Sequence, residues 1–228
     1  MSELIHLSGF QLLPVVELEP GTFATVERES PQGSGEYVPD DWQTYWELSL
    51  ADSGITDLSP IRTGSWFVAT SEFEESQLEQ YLRVTFDEWG GISSLNDPDS
   101  RPVLNGGLAL LSNQKDILVE PTCCSDLGDI ENWKAAASYE GKNWEMLWIG
   151  HPWLSVKFQK TWLLLSDLHE SEDPIARWAV KPKELQDAID VAEVELNRFS
   201  KQVAVILTGL EFEGDAASIS LHLAGLQK

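Results

Sequence analysis

Lysine is missing from the first 114 residues, and cysteine occurs at one spot only. The 228 residues hold 15 Lys and Arg against 38 Asp and Glu, a net charge of −23, with four His, two Met and two Cys. Few cations exclude nucleic acid as a ligand, because binding phosphates needs clustered Lys and Arg. They also disfavour an anionic membrane surface. No apolar run nears the roughly 20 residues that cross a bilayer; "TWLLLS" is among the longest. The start, "MSELIHLSGF", carries an acid at position 3 and no cation precedes Arg28, so a secretory signal is not expected and the cytoplasm is the expected compartment. Two adjacent cysteines cannot build a disulfide scaffold, since bridged Cα atoms normally stand about 4.4–6.8 Å apart. The glycine-rich phosphate motifs, H-E-x-x-H and G-x-S-x-G are absent as well. No catalytic residue, metal site or cofactor is therefore assigned.

What the chain does have is aromatic bulk. Ten Trp, eight Phe and four Tyr, in a chain that is 42% hydrophobic, can bury a large core. Each large apolar side chain contributes about 1.5–3 kcal/mol when fully buried. Such a charge disorders a chain poor in apolar residues; here it belongs on a solvated surface. The charge is uneven. Residues 1–101 carry 19 acids and 4 bases, a net of −15, whereas residues 102–165 carry 7 acids and 5 bases and half of the Trp. That difference permits a subdivision near residue 101, but no linker separates two cores, so a single domain over 1–228 is expected.

The pattern predicts α+β: mainly antiparallel sheet with two principal amphipathic helices packed on it. Leu78, Leu82, Phe86 and Trp89 share one face of a helix over about 71–89, capped by Thr70 or Ser71 and ended by Gly90–Gly91. Leu185, Ile189, Ala192, Leu196, Phe199 and Val203 share the face of another over about 183–203, with Pro182 in its first turn. Residues 4–28 read as one or two strands broken at Pro14. "NWEMLWIG", "HPWLSVKFQ" and "TWLLLSD" read as a three-strand meander, and "VAVILTG" and "ASISLHLAGL" as strand-like. Residues 42–54 are ambiguous, and residues 29–41 form a loop.

The chemistry-bearing residues gather between 121 and 153. Cys123 and Cys124 follow the strand stop at Pro121. They lack the further Cys or His of a zinc site, and a thiol nucleophile needs a neighbouring base, which His151 could supply only if the fold brings it close. The plainer reading buries one thiol and leaves the other near the surface, because neighbours on an extended chain point to opposite sides. Asp126 (or Ser125) caps a short helix with Asp129 and Glu131 in or near its first turn. Asn96, Asp97 and Asp99 read as a polar turn. Trp144, Trp148, Trp153 and Trp162 read as core, or as a partly exposed patch of the kind that lines pockets and interfaces. The binding candidates are thus Cys123, Cys124, Asp126, Trp148, His151 and Trp153.

"ILVEPTCCSDLGDIENW" followed by "LWIGHPWL" resembles a group of uncharacterised bacterial proteins over residues 117–165, roughly a fifth of the chain. Some of these look like immunity partners of polymorphic toxins, small acidic α+β proteins that bind and neutralise a toxin domain. "VLNGG" resembles a turn of another immunity-protein group. The resemblance implies a binding module and carries over no site residue. With the acidic first half, the expected function is binding of a basic protein partner. The alternatives are a small-ligand binder or enzyme using residues 121–153, and a structural or assembly subunit. The oligomeric state stays open.

Overall fold

The computed structural model describes residues 4–33, 35, 37–98, 101–171 and 173–227. Asp99 of the polar turn, part of the 29–41 loop and the first three residues lie outside these. In chain order the elements are β1 (Ile5–His6), β2 (Gln11–Glu17), α1 (Pro20–Phe23), α2 (Pro39–Asp52), β3 (Phe67–Ala69), α3 (Glu75–Glu88), β4 (Gly106–Leu111) and β5 (Ile117–Val119). Then follow α4 (Ile130–Ala137), β6 (Glu145–Leu147), β7 (Leu154–Gln159), β8 (Trp162–Ser166), β9 (Ala176–Val180), α5 (Pro182–Gly209) and α6 (Ala216–Leu223). The fold is α+β, as expected, with two sheets. One has the order β1-β9-β8-β7-β6 and is antiparallel except where β1 joins β9; the other, β3-β2-β4-β5, is antiparallel throughout.

Both amphipathic faces are where the spacing places them. Leu78, Leu82 and Phe86 are buried on α3, and Leu185, Ile189, Ala192, Leu196, Phe199 and Val203 on α5. The first helix starts later than expected. Thr70–Glu72 forms a separate 3₁₀ turn, and Glu74 caps α3 in a box with Gln77. The ambiguous 42–54 stretch is α2, which buries Trp46 and Leu50.

Two strand readings are corrected. "VAVILTG" is the last part of α5, and "ASISLHLAGL" contains α6, capped by Asp215. Val203, Ile206 and Leu207 extend the buried stripe at helical spacing, so packing overrides the strand preference of the β-branched Val203 and Ile206. Pro14 does not break the strand either. It sits inside β2 opposite Leu108, in a pair that places its nitrogen on the side away from β4.

The four-stranded sheet is built on alternation. Leu12, Val16, Val68, Leu108 and Leu110 face the main core, whereas Val15, Phe67, Ala109 and Leu111 form a smaller cluster on the other face. Gly106 and Gly107 open β4 rather than making a turn. Gly106 has φ +144°, and a Cβ there would lie 2.1 Å from the Val15 carbonyl oxygen, so only glycine lets β2 approach. Buried side chains from both sides of residue 101, from both sheets and from α2 to α6 join in the main cluster.

Candidate functional site

β5 ends at Val119, Pro121 is buried, and the chain turns. The Thr122 amide donates to the Ile149 carbonyl at 2.9 Å, and its hydroxyl reaches the Pro152 carbonyl at 2.7 Å. The His151 amide then donates to the Cys123 carbonyl at 2.9 Å. So His151 does return to the cysteines, through its backbone. Gly150 makes this possible: it has φ +101°, and a Cβ there would lie 2.5 Å from the Thr122 carbonyl oxygen.

The cysteines are placed otherwise than expected. Both are exposed, and their sulfurs stand 3.2 Å apart. The cause is local: Cys124 has φ +68°, so the pair is not extended and does not alternate. The hydrogen bond between the two thiols, then repulsion by a Cys124 thiolate, raise the Cys123 pKa above its ordinary value; slight desolvation and Glu17 act in the same direction. A raised pKa leaves less thiolate, the opposite of an activated nucleophile.

His151 is exposed, its Nδ1 3.3 Å from Glu170 Oε1 and its ring 5.1 Å from that of Trp153. Trp153 also stacks on Trp148 at 6.3 Å and meets His169 edge-on at 5.8 Å. His169 is tethered at both nitrogens, to the Ser155 hydroxyl at 2.9 Å and the Ser171 carbonyl at 2.8 Å. No spacing in the sequence pointed to His169 or Glu170. Asp126 is a cap, as read: it accepts from the Gly128 amide at 2.7 Å and boxes with Asp129. The core reading of the four Trp is corrected, because all are half-buried. The ammonium groups of Lys157 and Lys181 lie over Trp144 and Trp162, 4.6 and 3.6 Å from the ring centroids, so two cations sit on rings that the core does not take. Among the described residues no group of three or more His, Cys, Asp or Glu could hold a metal ion.

A second feature carries no conspicuous residue. A groove of about 510 Å³ runs between β2 and α5. Phe10, Leu12 and Pro14 line one side, Ala188 and Val191 the other, with Glu184, Asp187 and Glu195 around them and no Lys or Arg in the lining. Val191 is 69% exposed. Glu195 is fixed by Arg198 at 2.6 Å and by the Thr70 hydroxyl at 3.0 Å. Arg198 also donates to the Thr70 carbonyl at 3.0 Å, which ties α5 to the end of β3. The sequence offers little trace of this groove: Val191, like Val194 on the same helix, is an exposed apolar residue among acids.

No family model matches the chain, and no curated protein or solved structure matches it. Among the described residues no helix is long and apolar enough to cross a membrane.

Proposed function

We propose that the protein is a protein-binding module for a basic partner, in the manner of a toxin-neutralising immunity protein. One observation carries this reading: the first half's arginines are engaged within the molecule. Arg28 pairs with Asp52, Arg62 with Glu120 and Arg83 with Glu79, while Arg101 donates to the Leu95 carbonyl. With no lysine before Lys115, little positive charge is left to offset the remaining carboxylates outward. A net-negative surface of this kind attracts a basic protein over several ångströms, speeds encounter and repels acidic surfaces. The corner at Cys123 and His151 supports the enzyme alternative less well, because its polar groups mostly satisfy one another and the Cys123 thiol is held protonated.

The test is retention of a protein from the native host on the immobilised chain. A basic protein held at low ionic strength and released as salt rises supports the reading, since exposed charge pairs are screened. No protein retained at low salt overturns it.

A further inference from the structure

We propose that the groove between β2 and α5 binds a short extended segment of a partner protein, an apolar residue seated beside Ala188 and Val191 with a lysine or arginine next to it. This rests on the protein-binding reading and deepens it by naming the site and the chemistry of the occupant.

The argument starts from hydrogen-bond direction in β2. The Glu17 amide donates to Asn105 on the β4 side at 3.0 Å, and the Leu18 amide to Trp66 on the β3 side at 2.8 Å. Peptide groups alternate sides along a strand, so those of Val16 and Leu12 face the β3 side too. Val16 meets Val68 there. Leu12 meets no strand, because β3 stops at Ala69 and turns into Thr70–Glu72. Pro14 explains the stop: in register it would oppose Thr70, and it has no N–H with which to continue the ladder. The Leu12 amide and carbonyl are left without a strand partner on the groove side, and backbone groups of this kind are rarely left unpaired. An extended segment entering the groove supplies one residue to pair with them, the beginning of strand addition.

The walls set the rest of the chemistry. Ala188 is small and packs against the edge of the core stripe, Val191 is exposed beside it, and together they leave room for one apolar side chain. Glu184, Asp187 and Glu195 line the groove with no cation among the lining residues. Arg198 neutralises Glu195, and Lys183 pairs with Asp187 in an exposed contact that is worth little. Glu184 is then the carboxylate that a partner's cation meets first. A second copy of this chain is disfavoured, since two identical grooves would bring their carboxylates together and each chain carries −23.

The experiment selects random hexapeptides displayed on phage against the folded full chain, then measures the enriched peptides by fluorescence anisotropy. The expected result is enrichment of an apolar residue beside Lys or Arg. Affinity falls at least tenfold in Val191→Lys, a surface change that leaves the thermal melt intact, and in Ala188→Trp, which fills the groove. Trp153→Ala, in the corner, leaves it unchanged. No enrichment, enrichment of acidic peptides, or equal binding by Val191→Lys and the parent overturns the proposal. A salt-sensitive basic partner that still binds both groove variants would leave the acidic-surface reading standing and remove the groove alone. Peptide binding in the groove without any retained basic partner would do the reverse.

Discussion

The Cys123–His151 corner and the β2–α5 groove differ in a way that residue types alone misrepresent. The corner holds two thiols, two imidazoles and two indoles, and most of its hydrogen-bonding capacity is consumed internally: Thr122 holds Ile149 and Pro152, His169 is tethered at both nitrogens, and the thiols pair with each other. The groove holds Leu, Pro, Ala and Val, yet it has a peptide edge with no neighbouring strand and a wall with exposed apolar carbon. Reactive residue types mark where chemistry is conceivable. Unfilled valences and unfilled volume mark where something else fits.

That contrast can be broken or sharpened by measurement. The largest effects are expected at the two glycines on which the regions hang. Gly106→Ala should separate β2 from β4, and Gly150→Ala should separate His151 from Cys123, each costing about 3 kcal/mol or more in urea unfolding. A small loss at Gly150 alone would show that the corner is not a fixed structure. Next comes Trp153→Ala, which removes a half-buried ring from its contacts with Trp148, His151 and His169. It should cost about 1–2 kcal/mol, whereas Val191→Ala should change stability by less than about 0.5 kcal/mol. Equal losses would mean that the groove wall is structural too.

Asp52 provides a reference outside both regions. Its hydrogen bonds from Arg28, opposed by desolvation and helped by the Val26 amide, the Arg28 charge and the Thr25 amide, lower its pKa to about 2. A folded pKa below the unfolded one gives stability above the ordinary carboxylate range and loses it as pH falls toward about 2. Asp52→Asn should therefore lower the urea midpoint at neutral pH and converge with the parent near pH 2, while Trp153→Ala keeps its deficit at both. The smallest change is expected for Cys123→Ser. It should leave stability within about 0.5 kcal/mol and lower the titre of aromatic disulfide reagent from two thiols per folded chain to one. The parent should react faster as pH rises past the ordinary thiol range, because Cys123 ionises late.

Much of the fold was legible because its signals are local. Leu185 to Val203 at helical spacing, the cap at Asp126, the Gly90–Gly91 stop and the β6–β8 meander each depend on a few neighbouring residues. The C-terminal β-branched run was misread because its strand preference is local but its burial against the core is not. The thiol pair was misread for a different reason: a single positive φ at Cys124 turned alternation into apposition. Apart from an exposed valine on α5, the groove left no local signal to read. It arises because β3 ends where Pro14, more than fifty residues earlier, has no amide to offer. Only the long-range register of β2 reveals that.

Helix α5 carries two stripes that meet at Ala188 and Ala192. Leu185, Ile189, Leu196 and Phe199 hold the core, while Glu184, Asp187, Ala188 and Val191 line the groove. Substitutions in the second stripe can alter what the groove accepts without loosening the first. If the groove binds a partner as proposed, a lineage of such proteins facing changing partners would drift in recognition while its scaffold stays still, and the variable positions would recur every three or four residues along one side of a single helix.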